Sequence, residues 1–123
     1  MKTFHTSNYD KAGTNPLAVA ISLSTLIPAT YKGQICNTLA PDADLLKAYE
    51  TGAHTDDAFK DLYLHALAGR GMLPAVIADL FADGTVFVCF DYEDGDGQGG
   101  DNLKCHRSFL ADYLKAYANV TEI

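Results

Sequence analysis

Three consecutive residues carry much of the chemistry open to this chain: Cys105, His106 and Arg107. Side by side they supply a nucleophile, a proton carrier and a permanent cation. They open the stretch CHRSFLADYLKAY, in which Phe109, Leu110, Tyr113, Leu114 and Tyr117 step by three and four, so a helix is predicted over about 105–118. The first turn of a helix carries unpaired N–H groups and a partial positive charge. A cation there costs roughly 0.3–1 kcal/mol unless an anion occupies the turn. The anion could come from outside, as a phosphate or carboxylate held by Arg107 and backbone N–H groups. It could equally be internal, because Asp91, Glu93, Asp94, Asp96 and Asp101 are close in sequence. The same turn lowers the pKa of a thiol, so Cys105 is a candidate nucleophile or redox thiol; otherwise it is a small cap residue.

Further candidates lie on either side. Asp91 is placed to act as a base or to orient His106. Cys89 sits in the apolar run TVFVCFDY, which reads as a strand. Tyr31 and Lys32 follow the end of an earlier predicted strand. In a parallel sheet that puts them on the rim of the Cys-His-Arg turn, Lys32 as a second cation and Tyr31 as a stacking face. Asp94, Asp96, Gln98 and Gly99 imitate the start of a calcium loop, but Cys105 stands at the twelfth position where a bidentate Glu is needed. Cys89, Cys105 and His106 have no zinc-ligand spacing, so neither a metal nor a cofactor is expected. No dinucleotide glycine motif, Walker lysine loop or serine elbow occurs.

The elements that must position these groups follow from periodicity and punctuation. Strands are predicted at Lys2–Thr6, Leu17–Ser24 and Thr85–Tyr92, with a brief edge strand at Gln34–Cys36. Helices are predicted after Asp42 (to about Gly52), after Thr55 (to about Gly69) and from Pro74 to about Gly84. The run SNYDKAGTNP reads as a loop. Strands near both ends with helices between them predict one α/β domain over 1–123: three layers, Rossmann-like, with a small mainly parallel sheet.

Composition sets the outer bounds. The chain has 123 residues, a formal net charge of −7 and three cysteines. That acidity argues against an extended nucleic-acid surface but not against a pocket for one small anion or nucleotide. The odd cysteine count points to a reducing, cytoplasmic setting. No apolar run reaches the ~18 residues of a membrane span, so no membrane association is expected. Oligomeric state leaves no mark on the sequence.

Two motifs taken together resemble a bacterial family, the domain of unknown function four-eight-eight. The first reads Ile21-Ser22, Pro28, Tyr31-Lys32-Gly33 and Leu39-Ala40-Pro41. The second reads Cys89-Phe90-Asp91, then Cys105-His106-Arg107, Ala111 and Leu114. Asp91 stands where the family usually has Glu, and the loop before Cys105 is longer and more acidic than expected. The resemblance implies a Rossmann-like domain whose pocket is lined by Tyr31, Lys32, Cys89, Asp91, Cys105, His106 and Arg107, and it brings no substrate with it. Two functions stay open. One is binding of a phosphate-bearing small molecule or nucleotide at the helix N-terminus, with hydrolase or transferase chemistry through Asp91, His106 and Cys105. The other is a non-catalytic interaction module with a structural Asp–Arg network.

Overall fold

A computed structural model of the chain describes residues 1–90 and 105–123. Five strands form one sheet: β1 (Thr3–Ser7), β2 (Ala18–Ala20), β3 (Gln34–Ile35), β4 (Val86–Val88) and β5 (Asn119–Glu122). Their spatial order is β3-β2-β4-β1-β5, and every pairing is parallel. Five helices connect them: α1 (Tyr9–Ala12), α2 (Ala43–Glu50), α3 (Asp56–Gly69), α4 (Pro74–Leu80) and α5 (His106–Leu114). The α/β architecture read from the sequence is the one observed.

The period-2 alternation of a strand divides the apolar residues between two faces. Phe4, Val19, Ile21, Phe87 and Cys89 enter one core with Tyr49 of α2, Phe59, Tyr63 and Leu67 of α3, Ile77 of α4 and Leu110 of α5. Ala18, Ala20, Val86 and Val88 face the other way, against Ala12, Tyr9, Ile27 and Tyr31. The layers are therefore unequal. Aromatic rings fill the thick side, with Tyr49 stacked on Phe59 at 4.2 Å. Alanine and valine form the thin side, because only the single-turn α1 and the 21–33 segment cover it. Gly84 has φ +88°, a left-handed value that favours glycine, and turns the chain from α4 into β4.

Several elements differ from their sequence-based bounds. The predicted strand 17–24 is only Ala18–Ala20, because the chain after Ile21 turns through a 3-10 segment at Ser24–Leu26. The loop 7–16 contains α1, capped by Asn8, whose side chain accepts from the Lys11 N–H. The last helix stops at Leu114, and the chain reverses into β5, which the sequence reading missed. Among the described residues, no helix is long and apolar enough to cross a membrane.

Strand order fixes where a site can lie. From β1 the chain passes to β2, on the far side of β4; from β4 it passes to β5, on the far side of β1. These adjacent strands send their chains in opposite directions. At such a point the carboxyl ends of the strands leave a crevice.

Candidate functional site: an arginine between two thiols

The first turn of α5 lies across the carboxyl ends of the strands at that point. In register, Phe4 pairs with Val120 and Thr6 with Glu122, so these residues share the face occupied by the helices. Ile21, Cys89, Thr6 and Glu122 thus follow one another along the rim, one from each of β2, β4, β1 and β5 or the residue just beyond. His106 reaches the first of them and Arg107 reaches Cys89 and Glu122, with Thr6 bonded to Glu122.

His106 is 2% exposed. Its Nε2 lies 2.7 Å from the Ile21 carbonyl oxygen, which can only accept, so the proton is on Nε2. The ring stands edge-on to Tyr63, centroids 5.6 Å apart. Burial pulls its pKa down from 6.5 to about 4, against the opposing effect of the Ile21 carbonyl. It is a neutral donor near neutral pH, tying α5 to β2, which differs from the solvent-facing proton carrier expected from the sequence.

Arg107 is also buried, and it bonds on two sides. Toward β5, Nε donates to Glu122 at 3.1 and 3.2 Å, and Nη2 lies 3.1 Å from the same carboxylate. Toward β4, Nη1 donates to the Cys89 carbonyl at 3.2 Å and meets two sulfurs, Cys105 at 2.8 Å and Cys89 at 3.5 Å. Thr6 Oγ1 donates to Glu122 Oε1 and fixes the carboxylate from β1. The Cys105 thiol, at the N-cap of α5, lies 2.9 Å from the Phe90 carbonyl as donor. Burial pushes the Cys89 thiol up, but the Cys105 hydrogen bond and the Arg107 guanidinium outweigh it, and the net direction is below the ordinary value.

An internal anion therefore meets the cation at this helix terminus, and among the described residues it is Glu122. Asp91, the expected acidic partner, lies outside the described residues, as do Glu93, Asp94, Asp96 and Asp101. Glu122 escaped the sequence reading because β5 did. A β-branched Val120–Thr121 pair after a helix was the available signal.

Two residues expected at this rim lie elsewhere. Lys32 is a correction: it precedes β3 and lines a cavity of about 450 Å³ with Thr14, Asn15, Pro16 and Gln34, at the amino ends of β2 and β3. The segment after β2 has by then crossed back along the sheet, so Lys32 is at the opposite rim from Arg107. Tyr31 is a second correction. Its hydroxyl donates to the Gln34 and Ala18 carbonyls at 2.6 and 3.2 Å, and its ring meets Tyr9 edge-on at 5.4 Å. Gly33 is needed beneath it, because an added Cβ would lie 2.4 Å from the Tyr31 oxygen. Tyr9 in turn meets Phe90 at 4.8 Å and donates to Ser22 at 2.8 Å, so among the described residues Tyr31 is linked to the rim through Tyr9. Cys89, Cys105, His106 and Arg107 do come together. No group of three or more His, Cys, Asp or Glu among the described residues is arranged to hold a metal ion.

Comparison with family models, curated proteins and solved structures returns no match.

Proposed function

We propose that the carboxyl rim houses a thiol site, in which Arg107 stabilises sulfur anions at Cys89 and Cys105 for attack on a small electrophilic molecule. One observation carries this reading: a single guanidinium nitrogen, Nη1, faces both sulfurs at 3.5 and 2.8 Å. A fixed cation beside a thiol favours the thiolate, which is the nucleophile. The setting at the crossover of β1 and β4 and at the head of α5 supports it further. The chemistry is group transfer to sulfur, with Arg107 holding charge and His106 holding the turn in place. The test is alkylation of the native protein by iodoacetamide at pH 7, mapped by mass spectrometry. Cys105, which faces the guanidinium, is expected to label faster than the more exposed Cys36, and Arg107→Gln to slow it severalfold by removing the cation beside the sulfur. Equal labelling in the wild type and the variant would end this reading.

A second reading, anion capture, is favoured by the exposure of Glu122, whose side chain is 51% accessible while that of Arg107 is 8%. Solvent reaches the ion pair from the carboxylate side. A phosphate-bearing small molecule or nucleotide would displace Glu122 and take its place on Nε and Nη2. Isothermal titration with inorganic phosphate and a nucleotide panel checks it: Glu122→Gln should bind more tightly than wild type. No heat with either protein removes this reading.

A further inference from the structure

We infer that Cys89 and Cys105 are a dithiol pair that exchanges with small-molecule disulfides and closes to an intramolecular disulfide. The inference rests on the thiol reading above and adds a reaction and a co-substrate class to it. Three observations carry it. Neither cysteine is in a disulfide, and their sulfurs meet on the same Arg107 nitrogen. At 2.8 and 3.5 Å from that one nitrogen, the two sulfurs are held as close neighbours. They also differ in access: Cys105 keeps 5% of its surface and Cys89 none, which gives the two sulfurs different parts.

The Cys105 thiolate attacks one sulfur of an incoming disulfide, the S–S bond breaks, and the first small thiolate leaves. Cys89, facing the same Arg107 nitrogen, then gives up its proton, attacks the Cys105 sulfur of the mixed disulfide and expels the second small thiolate. The protein's two thiols have lost two electrons and two protons. The small disulfide has taken up both as two thiols. A resolving thiolate poised beside the attacked sulfur makes the second step intramolecular, and so the mixed disulfide is short-lived. Closing the bond also removes the sulfur anions that Arg107 faces and leaves the guanidinium with Glu122 and the Cys89 carbonyl. The state of the pair is thereby coupled to the seating of α5 on β5.

The experiment uses the reduced full chain and glutathione disulfide. After non-reducing trypsin digestion, peptide 71–104, which holds Cys89, is expected to be linked to tripeptide 105–107, which holds Cys105. Cys36→Ser should leave the yield unchanged. In Cys89→Ser the glutathione adduct on Cys105 should persist at least ten times longer than in the wild type. A stable adduct on wild-type Cys105 with no cross-link would overturn the inference while leaving the thiol reading intact. So would a cross-link through Cys36. If neither iodoacetamide nor glutathione disulfide reaches either cysteine until urea is added, the thiol reading and the inference both fail.

Discussion

The side chains at the head of α5 are set by burial as much as by chemistry. His106 is wholly enclosed and stays neutral, so the folded state binds fewer protons than the unfolded chain between pH 6.5 and about 4. Its contribution is therefore complete above pH 6.5 and is lost as pH falls through that window. The loss amounts to roughly 3 kcal/mol at the low end. Urea unfolding at pH 7 and pH 4.5 should show this slope, and His106→Gln, which keeps a donor for the Ile21 carbonyl, should flatten it. Arg107→Ala strips the Glu122, Cys89 and Cys105 contacts together, and is expected to cost about 3 kcal/mol in the same measurement. Glu122→Gln keeps an acceptor for the buried guanidinium and removes only the charge of a carboxylate that is itself half in water, so about 1–2 kcal/mol is expected. A melt of Glu122→Gln that loses more than Arg107→Ala would reverse the assignment of which partner is the more costly to strand. At this scale the sequence was informative about types and silent about partners. The triplet 105–107 announced an anion, and among the described residues that anion is Glu122, fifteen residues on, where no local pattern ties it to Arg107.

Elements with clear periodicity were the legible part of the chain. The stripe of Phe59, Tyr63 and Leu67 places α3 within a residue or two of where it occurs, and the proline places the start of α4, which ends at Leu80, four residues before the expected Gly84. Short elements were legible unevenly. The strand expected at 17–24 contains Ala18–Ala20 and the edge strand expected at 34–36 is Gln34–Ile35, whereas Asn119–Glu122 alternates over only four residues, of which Val120 alone packs on the core, and was missed. Its strand identity comes from the neighbour it pairs with, which is tertiary information. The same holds for Lys32, whose rim depends on whether it leaves β2 or enters β3. Two element-level contacts make testable joints. Tyr63 donates to the Leu39 carbonyl at 2.5 Å, pinning α3 to the segment after β3. Tyr63→Phe strands that buried carbonyl and should cost about 1–3 kcal/mol by denaturant titration. Lys2 donates to the Ala78 and Phe81 carbonyls at the end of α4, at 2.8 and 2.9 Å. Lys2→Met keeps most of the stem and removes the cap, and about 1 kcal/mol is expected.

The molecule as a whole owes its site to a sheet in which β1 is flanked by β4 and β5, two strands that follow it only after four intervening helices or more. A nascent chain leaves the ribosome amino end first. It must therefore hold its first strand with both long edges unsatisfied until most of the remaining sequence has been made. Until then β1 offers backbone donors and acceptors to any passing extended peptide. The distance along the chain between partners also predicts slow folding for a domain of this size. A chain ending at residue 115 lacks β5 but keeps the helices that cover the thick face. Such a fragment should be cut by protease within β1 far faster than the full chain, and should be the form that chaperones retain.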